Sequence, residues 1–215
     1  MISKTTRFLA IAALAGTISF PALAAQNMAH AHMGHVATAW SDTPDQMGFL
    51  PTAIAEAQTA LVHANLAAQK PDNLEWMKTH ALHVLNAIDP AMAEKGPGLG
   101  YGVKAAAAGV LKHIGLAAAS DDASENVKTH ARHVAATAQN TLDRVAEMET
   151  LITTIEGASS ADEAAPAVAA LQALAQQLLD GADANGDGAI TWVPGEGGLN
   201  NTQKHMTIMI NGEDM

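Results

Sequence analysis

The sequence predicts an all-α protein: a four-helix bundle made of two duplicated helical hairpins with pseudo-twofold symmetry, followed by a fifth helix and a loop. Three observations lead there. Aromatic residues are only 3% of the chain, while alanine, the strongest helix former, is abundant. No long run alternates β-branched or aromatic residues with polar ones, as half-buried strands require. Residues 48–90 also align without a gap on residues 98–140, with 16 of 43 positions identical, among them Lys78-Thr79-His80-Ala81 and Lys128-Thr129-His130-Ala131. Chance in an alanine-rich chain gives several identities, but not three histidines and this tetrapeptide in register.

Each segment has its own signal. Residues 1–25 read as a secretory signal peptide: Lys4 and Arg7 form a basic start, Phe8 to Phe20 a mostly apolar stretch too short to span a bilayer, and Pro21-Ala22-Leu23-Ala24-Ala25 offers small residues for cleavage. No other stretch reaches the roughly 20 apolar residues of a membrane span. The expected mature chain is therefore soluble and exported, most simply to a bacterial periplasm. Residues 26–47 read as an extended arm carrying histidines and methionines. The bundle occupies 48–157. Its first helix opens near Pro51, runs to about Gln69 and stops before Pro71. Asp72 and Glu75 suggest a capping box for the second helix, which ends at Asp89-Pro90. Gly96-Pro97-Gly98-Leu99-Gly100 separates the copies. Asp122 and Glu125 repeat the inner cap, and three- and four-residue apolar steps from Val127 to Ile155 carry the last helix to Gly157. Residues 158–215 hold a fifth helix, capped by Ser160 and Glu163 with a stripe of Val168, Leu171, Leu174 and Leu178, and then the loop.

Composition excludes whole classes of chemistry. With no cysteine, disulfides, thiolate zinc sites, iron–sulfur clusters and covalently attached haem are ruled out. The formal charge of −11, which becomes −13 once Lys4 and Arg7 are removed, disfavours nucleic acid as a partner and favours cations.

The histidines carry the chemistry. His63, His80 and His83 recur as His113, His130 and His133. His80 and His83 are three residues apart and share a helix face. His63 precedes Pro71 by 8 residues and His80 follows it by 9. At about 1.5 Å per residue, both sit on the order of 12 Å from the hairpin tip. The second copy has the same offsets from Asp121. Each hairpin is thus expected to gather its own three imidazoles, a donor set for Zn, Cu, Ni or Fe with positions left for water. The symmetry also permits one joint six-histidine cluster. A b-type haem held by His80 with His130, or by His63 with His113, is the alternative, with Lys78 and Lys128 reaching the propionates; the scarcity of large apolar side chains speaks against it. In the arm, Met28, His30, His32, Met33 and His35 form a mixed thioether and imidazole set suited to copper. His205 with Met206 and Met209 is a sparser set.

Residues 183–191 resemble the calcium loop of an EF-hand. Asp183, Asn185 and Asp187 match positions 1, 3 and 5, Gly188 the glycine at 6, Ala189 the carbonyl at 7, Ile190 the apolar 8 and Thr191 position 9. The resemblance implies Ca²⁺ held by Asp183, Asn185, Asp187, Ala189 and Thr191. It covers nine residues and departs at position 12, where Pro194 replaces the bidentate glutamate. Glu196, two residues on, is the carboxylate that an irregular exit would bring in. Without that carboxylate the implied affinity is weak, about millimolar.

Together these observations lead to an exported metal-binding protein, a chaperone, buffer or sequestering module whose partners are metal ions. A b-type haem electron carrier and a structural or interaction module are the alternatives. Catalysis is disfavoured, because no glutamate base recurs beside the triplets and no nucleophile motif of the G-x-S-x-G type occurs.

Overall fold

The computed structural model describes residues 27–215; the signal-peptide reading of residues 1–25 lies outside the described residues. The helices are α1 (Met28–Ala37), α2 (Phe49–Ala68), α3 (Leu74–Ile88), α4 (Val103–Ala119), α5 (Glu125–Gly157), α6 (Ala161–Asp180) and α7 (Leu199–Gly212). Among the described residues there is a single β-bridge, Ala39 with Met47, and no strand, so the protein is all-α. No helix among them is long and apolar enough to cross a membrane.

The packing is that of a helical bundle. Helix α2 lies against α3 and α4 against α5, while α2 also meets α4 and α6, and α3 meets α5. The alanines explain how closely the helices approach. On α2, Ala53, Ala57, Ala60, Ala64 and Ala67 recur at three- and four-residue steps and are all fully buried. A face of methyl groups lets neighbouring helices approach with little side-chain entropy lost. Gly109 on α4 goes further: a Cβ there would lie 2.3 Å from the Phe49 ring, so only glycine admits that ring. Larger side chains fill the long helix α5, where Val134, Val145, Met148, Ile152 and Ile155 are buried.

The link between α3 and α4 is held by one buried carboxylate. Glu56 of α2 accepts the backbone N–H groups of Leu99 (3.0 Å), Tyr101 (3.0 Å) and Gly102 (2.9 Å). These charge-assisted bonds compensate for taking the carboxylate out of water.

Four local expectations are corrected. The cap of α3 is Asn73, not Asp72: its side chain accepts the Trp76 N–H at 3.0 Å. The cap of α5 is Ser124, not Asp122, and accepts the Val127 N–H at 3.1 Å. Asn and Ser cap as well as Asp, so each helix starts one or two residues later. Asp122 is thereby freed to accept the Met28 and Ala29 N–H groups at 2.7 and 3.1 Å, capping α1 from the α4–α5 turn. The supposed extended arm is the helix α1, with Asn27 as its own cap on the His30 N–H. Beyond the loop, α7 adds a helix that the sequence reading does not include, with Leu199, Thr202, Met206 and Met209 as its buried face. The cap of α6 is Ser160, as expected, accepting the Glu163 N–H at 3.2 Å.

Candidate metal centres

Nine histidines converge in three groups of three, each drawn from two helices. His63 of α2 meets His80 and His83 of α3. His113 of α4 meets His32 and His35 of α1. His205 of α7 meets His130 and His133 of α5. In every group two members stand three residues apart on one helix and the third comes from a neighbour. The i, i+3 spacing puts the pair on one face, and helix packing delivers the third ring.

The same ring nitrogen faces inward in each contact. Nδ1 of His63 is 2.9 Å from Nδ1 of His80 and 3.2 Å from Nδ1 of His83. Nδ1 of His113 is 3.2 Å from Nδ1 of both His32 and His35. Nδ1 of His130 is 3.2 Å from Nδ1 of His205. In that third group, Nδ1 of His133 is buried with no hydrogen-bond partner among the described residues. Imidazole nitrogens at about 2.0–2.1 Å from one ion would stand only slightly farther apart than these. One ring per group is buried: His80, His113 and His205.

Burial and mutual repulsion lower the pKa of six of these rings, favouring the neutral form that binds metal. Desolvation, with the neighbouring His35 and His32, pulls His113 down from the usual histidine value to about 4. Desolvation, with His133 and His130 beside it, takes His205 to about 4 as well. His63, His80, His35 and His133 are lowered in the same direction, chiefly by burial.

Each group also has an indole beside it, and the chain contains three tryptophans. Trp40 lies 4.7 Å from the His35 ring and 4.8 Å from the His113 ring. Trp76 lies 4.2 Å from the His80 ring. Trp192 stacks on His133 at 3.9 Å and meets the edge of His205 at 5.2 Å. Trp76 is fixed by donating its indole N–H to the Leu66 carbonyl at 2.6 Å.

The expectation of one triplet per hairpin holds in the first copy and is corrected in the second. His113 leaves His130 and His133 and turns to α1, while His205 takes its place. Sequence offsets put His113 and His130 level, but level is not facing: α1 is capped onto the α4–α5 turn by Asp122, and α7 packs on α5. The substitution at the position of Trp76 contributes. In the second copy it is Asn126, whose amide donates to the Met209 carbonyl and the Glu213 carboxylate at 2.9 Å, seating α7 where the first copy has an indole. The signal that could have given the grouping is His-x-x-His, which occurs at 32–35, 80–83 and 130–133.

The remaining arm residues are placed differently from the copper set proposed for them. His30 pairs through Nε2 with Glu213 at 3.0 Å, Met33 is fully buried in the core and Met28 is about half exposed.

A fourth group is made of carboxylates. Asp183, Asp187 and Glu196 each bring an oxygen to within 4.8 Å of the others. Asp183 accepts the N–H groups of Gly186, Asp187 and Gly188, and Asn185 accepts that of Asp187, folding the loop tightly. Gly188 has a φ of 85°, a conformation costly for residues with a Cβ. Glu196 is completely buried: Oε2 accepts from the Thr191 N–H and hydroxyl at 2.8 Å, while Oε1 has no partner among the described residues. Two residues of irregular exit, past Pro194, thus bring a carboxylate back to the loop.

No protein family, curated protein or solved structure matches the chain.

Proposed function

We propose that this protein is an exported, periplasmic metal-binding protein that holds three transition-metal ions, each through three imidazole Nδ1 atoms, as a carrier, buffer or sequestering module. One observation carries the reading: three times over, three histidines bring ring nitrogens within 4.8 Å of one another, the closest Nδ1 pairs standing 2.9–3.2 Å apart. Three imidazoles suit Zn²⁺, Cu²⁺, Ni²⁺ or Fe²⁺ and leave a coordination position for water or for a partner that exchanges the ion. The grouping favours a bare ion over haem, because both axial pairs considered, His80 with His130 and His63 with His113, are split between different groups. The acidic loop takes Ca²⁺ in this reading, supported by the buried, unpartnered Glu196 oxygen beside Asp183 and Asp187.

Elemental analysis of untagged protein loaded with zinc, copper or nickel tests it. Three equivalents per chain are expected. A metal-free preparation that takes up none of the three ions overturns it.

A further inference from the structure

The acidic loop and the third histidine group share a short stretch of chain, and that stretch contains the indole. Thr191 is bound twice to the Glu196 carboxylate, and Trp192, its neighbour, stacks on His133 and meets His205. The backbone that follows, from Val193 to Gly197, is tied to α5. Asn140 of α5 donates to the Val193 carbonyl at 3.0 Å and accepts the Gly195 N–H at 2.9 Å. Arg144 of α5, buried, donates to the carbonyls of Gly195, Glu196 and Gly197. Helix α5 also supplies His130 and His133, and α7, which supplies His205, begins at Leu199 just after the loop.

We propose that Ca²⁺ in the loop regulates the third histidine site: a cation held by Asp183, Asp187 and Glu196 fixes Trp192 over His133 and His205, and so raises the affinity of that site, alone among the three, for a transition metal. The inference rests on the metal-binding reading above. Its physical basis is order. Three carboxylates within 4.8 Å repel one another, and the buried Glu196 oxygen lacks a partner, so a cation there removes a repulsion that loosens Glu196 and the Thr191–Trp192 segment bound to it. Once the cation has ordered that segment, the second ion no longer bears the cost of doing so, which is positive coupling. The carboxylates outnumber the charges of calcium, so the loaded loop does not repel the ion at the histidines. By linkage, metal at the histidines tightens calcium by the same factor.

The test uses the Trp40→Phe/Trp76→Phe chain, in which Trp192 is the sole indole. Calcium chloride alone should shift Trp192 emission and saturate. In a Zn²⁺ titration with and without calcium, one equivalent should tighten by about fivefold or more while the other two stay unchanged. Glu196→Gln should abolish both effects; Asp187→Asn, at an exposed position, is the second variant should Glu196→Gln fail to fold. Uptake of zinc with calcium-independent affinity at every site overturns the coupling alone. A chain that takes up no transition metal overturns the metal-binding reading, and the coupling with it.

Discussion

His30 and His80 differ in what surrounds them, and that decides what each imidazole does. His30 faces a carboxylate, Glu213, whose pKa is held down chiefly by His30 and by Ser124 and Asn126. His80 faces two other imidazoles and an indole and is kept neutral by burial. The first arrangement is a hydrogen bond between an imidazole and a carboxylate at a partly exposed surface, the second a candidate ligand set. His80→Ala is expected to lower bound zinc from three equivalents to two, because two imidazoles on one ion lose the chelating third. His30→Ala should keep all three equivalents and cost at most about 1 kcal/mol, the range of exposed ion pairs. Metal analysis together with urea unfolding of the two variants checks both. Loss of an equivalent in His30→Ala would contradict this assignment.

At the scale of elements, the sequence shows the helices with long apolar stripes and obscures the two shortest, whose stripes are interrupted by polar residues. Helices α2 to α6 follow from alanine and aliphatic periodicity, with Pro71, Asp89-Pro90 and Gly157 marking ends close to those observed. Helix α1, Met-Ala-His-Ala-His-Met-Gly-His-Val-Ala, has only a short stripe of Ala29, Met33 and Val36 set among histidines, and α7 follows Leu199 with Asn-Asn-Thr, weak helix formers, behind a glycine with no side-chain cap. Both are stabilised by tertiary docking, α1 through Asp122 and α7 through Asn126, which a linear pattern does not contain. The histidine partition was lost for the same reason. All nine candidate ligands are visible as histidines, and His63 with His80 and His83 is legible because a single hairpin makes it. The other two groups need the helices that were missed. A pair of double variants separates the two partitions. If His113 and His130 belong to different groups, His113→Ala and His130→Ala each remove one equivalent and their combination removes two. If His130 and His205 share a group, combining His130→Ala with His205→Ala removes only one. Under the hairpin partition the His113 and His130 double variant removes only one equivalent and His205→Ala alone removes none, so equilibrium dialysis of the three single and two double variants against Zn²⁺ decides between them.

The whole molecule should be sensitive to acid when free of metal, and the sign follows from its histidines. In the folded chain His113 and His205 are depressed to about 4, and His35, His63, His80 and His133 are also lowered, all chiefly by burial. In the unfolded chain each returns to about 6.5. Above that value both states are neutral and the histidines add no pH dependence. As pH falls through the window from 6.5 toward 4, the unfolded chain takes up protons that the folded chain refuses, so stability falls. At pH 5.5 His113 and His205 each contribute about 1 kcal/mol of that loss, one pKa unit being worth about 1.36 kcal/mol. For a chain of this size that amounts to several degrees in Tm, before most carboxylates begin to titrate. Scanning calorimetry of metal-free protein from pH 7 to 5.5 should show the fall, and His113→Ala/His205→Ala should flatten it. Zinc should counter it, because a ligated imidazole cannot be protonated and the ion binds the folded state alone. The loaded protein should then hold its Tm until protons displace the metal and drop over a narrower pH range than the metal-free chain. A metal-free Tm that does not change between pH 7 and 5.5 would mean that these imidazoles are protonated in the folded state, and the three neutral ligand sets would not exist at the pH where they are meant to work.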